Sequence, residues 1–125
     1  MATQYTNYED LKQYYTVNDF PKNELKEPDI ELINSAIETA CIFIDQILET
    51  AKVPFPVSDE NINQLRQTAR SISRYRYKER QGQMNDFIKE EYNTQLSYLN
   101  KIKNNEISLK DTQKKAGLYN IFFDY

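Results

Sequence analysis

The chain has 125 residues, of which 39% are hydrophobic and 28% charged, and its formal net charge is −3 at pH 7. This length and balance are typical of one soluble domain, and no apolar run approaches the roughly 18–20 residues of a membrane span. Histidine is absent and cysteine occurs once, which excludes Cys/His zinc sites, internal disulfides and Ser-His or Cys-His catalysis. No basic region followed by an apolar stretch opens the sequence, so we expect no secretory signal.

The few glycines and the positions of the prolines further restrict the folds that the sequence allows. The two glycines, Gly82 and Gly117, are too few for a P-loop or a Gly-rich dinucleotide fingerprint, and tight hairpins are disfavoured for the same reason. The four prolines all lie outside the periodic segments and mark boundaries between helices. They are Pro21, Pro28, Pro54 and Pro56.

The first predicted helix is short. Thr6 and Glu9 have the spacing of a capping box, which predicts a helix over about residues 7–15. Its apolar positions are Tyr8, Leu11 and Tyr15. Residues 16–28 show no sustained period and are predicted to form a loop.

The second predicted helix has the clearest pattern. From Ile30 onward the apolar positions recur at alternating steps of three and four, which defines one face of a helix. These positions are Ile30, Ile33, Ile37, Ala40, Ile44, Ile47 and Ala51. Asp29 is a suitable N-cap. Pro54 and Pro56 end the helix because each disfavours the helical conformation at the preceding residue.

Two further helices follow. Ser58 and Asp59 are candidate caps for a third helix that runs to about Arg80. A turn at residues 80–83 leads to a fourth helix that ends near residues 104–105. The apolar positions of the third are Ile62, Leu65, Ala69 and Ile72, and those in register on the fourth are Ile88, Tyr92, Leu96 (or Gln95), Leu99 and Ile102.

The last eight residues are dense in large apolar side chains. They include Leu118, Tyr119, Ile121, Phe122, Phe123 and Tyr125. A chain terminus is normally polar and mobile, and so much apolar surface favours a partner. Ser108 or Asp111 could cap one or two helical turns before this tail, closed by Gly117. The predicted division is a helical domain over 1–117 and an aromatic tail over 118–125, which docks on a neighbouring protein or on its own bundle.

Together these patterns predict an all-α fold, a small helical bundle of about four to five helices with an extended C-terminal tail. The predicted core combines the apolar faces of three successive helices. It consists of Ile33, Ile37, Ile44, Ile47, Leu65, Ala69, Ile72, Leu96, Leu99 and Ile102.

Charge is distributed unevenly along the chain. Residues 1–60 carry 4 Lys/Arg against 12 Asp/Glu, a balance of −8, and residues 61–125 carry 12 against 7, a balance of +5. A basic half that binds nucleic acid is one interpretation. The other is that complementary faces meet within a subunit or between copies. The sequence pI near 5.0 argues against nucleic acid, because such domains are usually basic overall.

Two helix faces concentrate this charge. At 100° per residue, an acidic stripe on the second helix lies beside Ile42, and a basic stripe follows the third helix in steps of four. The acidic stripe is Glu31, Glu38, Asp45 and Glu49, and the basic stripe is Arg66, Arg70 and Arg74. Either both stripes are solvated faces that add little stability, or the acidic stripe of one copy meets the basic stripe of another. These eight residues are the candidate oligomer interface.

The remaining reactive residue types are predicted to be structural. Cys41 lies on the apolar face of the second helix, where a cysteine is a buried small hydrophobe rather than a nucleophile. Tyrosines such as Tyr75, Tyr77 and Tyr92 are expected to cover the edge of the core. Adjacent carboxylates point apart on a helix and form no general acid–base pair. We therefore expect no enzyme, no cofactor and no metal site.

Five short motifs occur in a fixed order along residues 5–109. They are Tyr5-Thr6 with Asp10-Leu11, Ile44-Asp45, Pro54-Phe55-Pro56, Ile72-Ser73-Arg74-Tyr75-Arg76, and the set Tyr92, Leu96, Leu99 and Ile102. In these motifs and their order the chain resembles a Mu-type phage family of small virion proteins, head–tail adaptors related to head-completion proteins.

The resemblance implies an all-α adaptor without catalysis or cofactor. Copies would form a ring, dodecameric by family resemblance, beneath the portal protein and connect the filled capsid to the tail. The implied partners are further copies, the portal protein and a tail or further neck protein, with no membrane and with DNA contact only in the channel. The implied location is the virion neck, after synthesis in the bacterial host cytoplasm. A small nucleic-acid-binding helical protein is the alternative.

Overall fold

The computed structural model describes residues 2–109, which fold into four α-helices and a short 3₁₀ turn. The elements are α1 (Tyr8–Tyr14), the 3₁₀ turn (Val17–Asp19), α2 (Ile30–Thr50), α3 (Asp59–Arg80) and α4 (Asp86–Lys103). No β-strand occurs in this part of the chain, so the predicted all-α class is confirmed. The predicted tail over 118–125, with Asp111 and Gly117, lies outside the described residues.

Polar side chains begin the three long helices. Asp29 accepts from the amide of Leu32 at 3.1 Å, which confirms it as the cap of α2. The hydroxyl of Ser58 accepts a first-turn amide at the start of α3, and Asn85 does the same for α4. Each cap satisfies one backbone donor that the helix itself leaves without a partner.

Helix α1 begins differently from the prediction. Its cap is Asn7, whose Oδ1 accepts from the amide of Asp10 at 2.8 Å. Thr6, the predicted cap, is buried, and its hydroxyl donates to the Asp10 carboxylate at 2.6 Å. Because the Thr6 side chain is buried and bonded to Asp10, the neighbouring Asn7 provides the N-cap of α1.

The predicted loop over residues 16–28 contains local structure. Besides the 3₁₀ turn Val17–Asp19 it holds an isolated antiparallel bridge between Lys22 and Pro28. The amide of Asp29 donates to the carbonyl of Pro21 at 2.8 Å. This segment thus folds back on itself before α2 begins.

The three long helices pack antiparallel to their neighbours in sequence. Arg80 at the end of α3 donates to the hydroxyl of Ser35 near the start of α2, at 2.9 Å. The hydroxyl of Thr68 on α3 donates to Oε1 of Gln95 on α4, at 2.6 Å. The short connections over 51–58 and 81–85 are of the length that joins antiparallel neighbours.

The predicted core is buried at nine of its ten positions. The exception is Leu96, which is half-buried because α4 turns Gln95 toward Thr68. The first twenty residues add Tyr5, Leu11 and Phe20 to the core. Leu109 closes its other end beside Ala51.

The burial of α2 gives a matched test of this core. Ile44 is fully buried and Ile42, on the same helix, is 44% exposed. Ile44→Ala should lower the free energy of unfolding by about 2–5 kcal/mol, because it removes packed methylenes and leaves a cavity. Ile42→Ala should change it by no more than about 0.5 kcal/mol. Urea unfolding followed by circular dichroism measures both, and equal small losses would contradict the packing described.

Candidate functional site

The N-terminal segment, residues 2–6, lies along α2 and forms hydrogen bonds with one residue of the acidic stripe, Asp45. The hydroxyl of Tyr5, a fully buried residue, donates to Oδ1 of Asp45 at 2.6 Å. The amide of Thr3 donates to Oδ2 of the same carboxylate at 2.8 Å. Burial, followed by the bond to Asp45, raises the pKa of the Tyr5 phenol well above its usual value. Both oxygens of Asp45 are therefore bonded within the chain.

The basic stripe also finds partners in its own chain. Arg70 pairs with Asp10 of α1 at 3.2 Å. Arg74 holds Asp19 with two bonds, from Nε to Oδ2 at 3.1 Å and from Nη2 to Oδ1 at 2.9 Å. Arg66 donates to the side chain of Asn63 at 2.7 Å. The complementary charges seen in the sequence thus meet, at Arg70 and Arg74, within one subunit.

Asp19 is the centre of the densest polar cluster. The Tyr77 hydroxyl donates to its Oδ2 at 2.9 Å, and the Lys78 ammonium lies 3.5 Å from its Oδ1. We call Asp19, Arg74, Tyr77 and Lys78 the Asp19 cluster. Burial alone would raise the pKa of the Asp19 carboxyl, but the bonds from Arg74 and Tyr77 and the charge of Lys78 lower it below its ordinary value. The ionised carboxylate is therefore the form that the fold stabilises.

The motifs that carry the family resemblance meet each other in this structure. Tyr5 contacts Asp45, and Asp10 contacts Arg70. The rings of Tyr75 on α3 and Tyr92 on α4 stack with centroids 3.8 Å apart and planes 9° from parallel. These pairs hold the N-terminal segment and α4 against the α2–α3 pair. These motif side chains therefore stabilise the subunit, whereas Phe55 of the Pro54-Phe55-Pro56 motif is 44% exposed.

The Asp19 cluster was missed by sequence reasoning because it joins residues 55 or more positions apart. Tyr77, expected at the edge of the core, is fully buried. The only sequence feature that indicated this cluster was the charge asymmetry, since one interpretation of it was that oppositely charged faces meet within a subunit. Which aspartate meets which arginine has no local signature.

Apart from Asp45, the acidic stripe forms no ion pair in the part of the chain that the structure describes. Glu31, Glu38 and Glu49 are exposed, and none of them forms an ion pair within residues 2–109. Ile42 lies among them and is 44% exposed. This face of α2 thus combines unpaired carboxylates with one partly exposed isoleucine.

A groove of about 630 Å³ borders this face, between the N-terminal segment and the first half of α2. Its floor contains the buried side chains of Ile37 and Cys41, and its rim contains Glu31 and Glu38. Cys41 is buried, as predicted, and burial raises the pKa of its thiol. A protonated thiol on a groove floor is an apolar contact surface rather than a nucleophile.

Within residues 2–109 no three His, Cys, Asp or Glu side chains come close enough together to hold a metal ion. None of the helices α1 to α4 combines the length and the apolar character required to cross a membrane.

A comparison with protein families decides the relationship. The family model described as "Bacteriophage Mu, Gp36" matches residues 5–118. The chain belongs to this family. No curated protein and no solved structure matches it significantly. The match begins at Tyr5, whose hydroxyl holds Asp45, and includes α1 to α4. Membership places the chain among bacteriophage proteins and supports a structural, virion-related role for this Gp36-family protein.

The Asp19 cluster makes a testable contribution to the stability of the family member. Asp19→Asn keeps the shape but leaves Arg74 and Lys78 without their carboxylate, and should cost about 1–3 kcal/mol at neutral pH. A carboxyl whose folded pKa is lowered stabilises the fold above its unfolded pKa of about 3.9. The difference between wild type and variant should therefore shrink as the pH falls below about 4.

Urea unfolding of both proteins across that pH range measures the difference. Glu24→Gln, in the exposed loop before α2, removes a carboxylate that forms no ion pair within residues 2–109 and is the matched control. A stability gap that stays constant down to the lowest pH would show that the Asp19 charge is not what holds the cluster.

Proposed function

We propose that this protein is a head–tail adaptor, a structural and non-enzymatic virion protein that forms a ring between the portal and the tail of a tailed bacteriophage. The observation that carries the proposal is the family match over residues 5–118, which takes in the whole helical bundle. The role is that of the small virion proteins whose motifs the chain resembles. Its partners are further copies, the portal protein, and a tail or further neck protein.

The distribution of free surface supports assembly through α2. Rings form when two different patches of identical subunits meet head to tail. Asp45, Arg70 and Arg74 are bonded inside the subunit, so the contact uses what remains of the acidic stripe together with Ile42. The proposed contact between copies is thereby restricted to Glu31, Glu38, Glu49 and Ile42 on the acidic side.

The same pairing bears on the nucleic-acid alternative. The charges of Arg70, Arg74 and Lys78 are directed at Asp10 and Asp19. A cation already paired with a carboxylate contributes little to phosphate binding, which depends on net positive potential. This favours an adaptor that contacts DNA only in the channel of the assembled ring.

Co-expression with the portal protein of the same phage tests the proposal. A tagged portal should retain the chain, and the mass of the native complex should correspond to a ring of copies on the portal. A chain that stays monomeric with the portal, or that binds free DNA with an affinity falling steeply with salt, would overturn the adaptor assignment.

An exposed isoleucine provides a sharper version of this test. Ile42→Ser should weaken assembly about tenfold while leaving thermal unfolding unchanged, since a buried interface side chain can contribute more than about 1 kcal/mol to binding. Leu25→Ser is the matched control, because Leu25 is 77% exposed in the loop before α2. Equal assembly of both variants, measured by native mass against concentration, would remove Ile42 from the contact.

A further inference from the structure

Residues 2–20, which we call the N-terminal arm, are less deeply packed than the three long helices. Only three apolar side chains of the arm are buried, those of Tyr5, Leu11 and Phe20. Its one α-helix, α1, has seven residues, and a helix of this length has little stability of its own. The helices α2, α3 and α4 have 21, 22 and 18 residues and pack against each other. Elements with few buried contacts open before the core on which they lie.

Opening of the arm takes Asp19 away from two cations of α3. Arg74 donates two hydrogen bonds to this carboxylate, and the ammonium of Lys78 lies 3.5 Å from it. The side chains of both cations are largely buried, with 16% of Arg74 and 10% of Lys78 exposed. A buried cation that loses its carboxylate is strongly destabilising. The ease of opening therefore depends on the other acceptors beside these two cations.

Both cations have a second acceptor that does not belong to the arm. Oε1 of Glu91 on α4 lies 3.7 Å from Nη1 of Arg74 and accepts no hydrogen bond within residues 2–109. Oε1 of Gln83, in the turn between α3 and α4, accepts from the ammonium of Lys78 at 3.4 Å. Arg74 holds Asp19 through Nε and Nη2, which leaves Nη1 for Glu91.

We infer that the N-terminal arm opens as a unit in a minor fraction of molecules, while α2, α3 and α4 stay folded, and that Arg74 then passes from Asp19 to Glu91. In the closed state the two carboxylates are like charges that compete for one guanidinium. In the open state a shift of about 1 Å brings Nη1 of Arg74 within hydrogen-bond distance of Glu91. Glu91 therefore favours the open state over the closed one. This opening belongs to the single subunit and does not depend on the ring proposed above.

Native-state hydrogen exchange of the full chain tests whether the arm opens as a unit. The amides of Leu11, Tyr15 and Phe20 donate to carbonyls inside the arm. Their protection should be lower than that of Ile44 and Ile72, in the buried faces of α2 and α3, by about tenfold or more. The three arm amides should also share one dependence on urea, because a single opening releases them. Protection equal to that of the α2 and α3 amides would show that the arm leaves only on global unfolding, and would overturn the inference.

The variant Glu91→Gln tests the transfer of Arg74. It keeps the shape of the side chain but removes an acceptor from the open state and a competing charge from the closed state. Exchange of the arm amides should therefore slow by about threefold or more, while exchange of the core amides of α2 and α3 stays as in wild type. Glu90→Gln is the matched control, because Glu90 is exposed on the same helix and forms no ion pair within residues 2–109.

The direction of the change in Glu91→Gln decides the role of this carboxylate. Arm exchange that is unchanged or faster, with the far-ultraviolet circular dichroism of wild type, would show that Glu91 does not favour the open state and would overturn the transfer. An equal slowing in Glu90→Gln would also overturn it, because the effect would then come from the net charge of α4 rather than from the acceptor beside Arg74.

Discussion

The fold depends on the attachment of the first twenty residues to the α2–α3 pair. Three aspartates make this attachment, with Asp45 receiving Tyr5 and with Asp10 and Asp19 each receiving an arginine of α3. Isolated surface pairs contribute little, but the side chains of Asp19 and Arg74 are only 12% and 16% exposed. Their two-bond geometry is the strong form of such a contact. These bonds fix the positions from which Leu11 and Phe20 enter the core.

This attachment also determines which charges the subunit presents to others. Asp10 and Asp19 pair with Arg70 and Arg74 of α3. These two arginines are therefore not available to the acidic face of α2. The charged residues of the sequence therefore fall into two groups, those paired inside the subunit and those left unpaired within residues 2–109. Part of the charge is neutralised inside the subunit, and part of the acidic remainder, Glu31, Glu38 and Glu49, lies on one face of α2. The proposed contact between copies concerns only that remainder.

Periodicity and capping were sufficient to predict the three long helices. The three–four spacing of α2 and its cap Asp29 are local properties, and both the start of the helix and nine of ten core positions were correct. The errors arise where a side-chain hydrogen bond, rather than the spacing of apolar residues, determines how a residue is placed. Thr6 lost the cap of α1 because it is buried beside Asp10, and Leu96 lost its core position to a bond between Gln95 and Thr68. No spacing within a helix records such a contact.

The interface is the least predictable part for the same reason. Both stripes were visible as helix faces, yet only the folded chain tells which of their members are already bonded. Among these eight residues Asp45, Arg70 and Arg74 serve the subunit, whereas Glu31, Glu38 and Ile42 are exposed. Like Asp45, Arg70 and Arg74, several side chains of the family motifs are bonded inside the subunit. Tyr5 and Asp45 bond each other, as do Asp10 and Arg70, while Tyr75 and Tyr92 stack.

Motif side chains that are bonded inside the subunit are not available to a partner. The family match therefore reports the architecture of the bundle, and the contacts of the proposed ring fall on residues outside the motifs. Glu31 and Glu38 are exposed and belong neither to the core nor to the bonds that attach the N-terminal segment. In the proposed ring, recognition and folding would be carried by different side chains of one bundle.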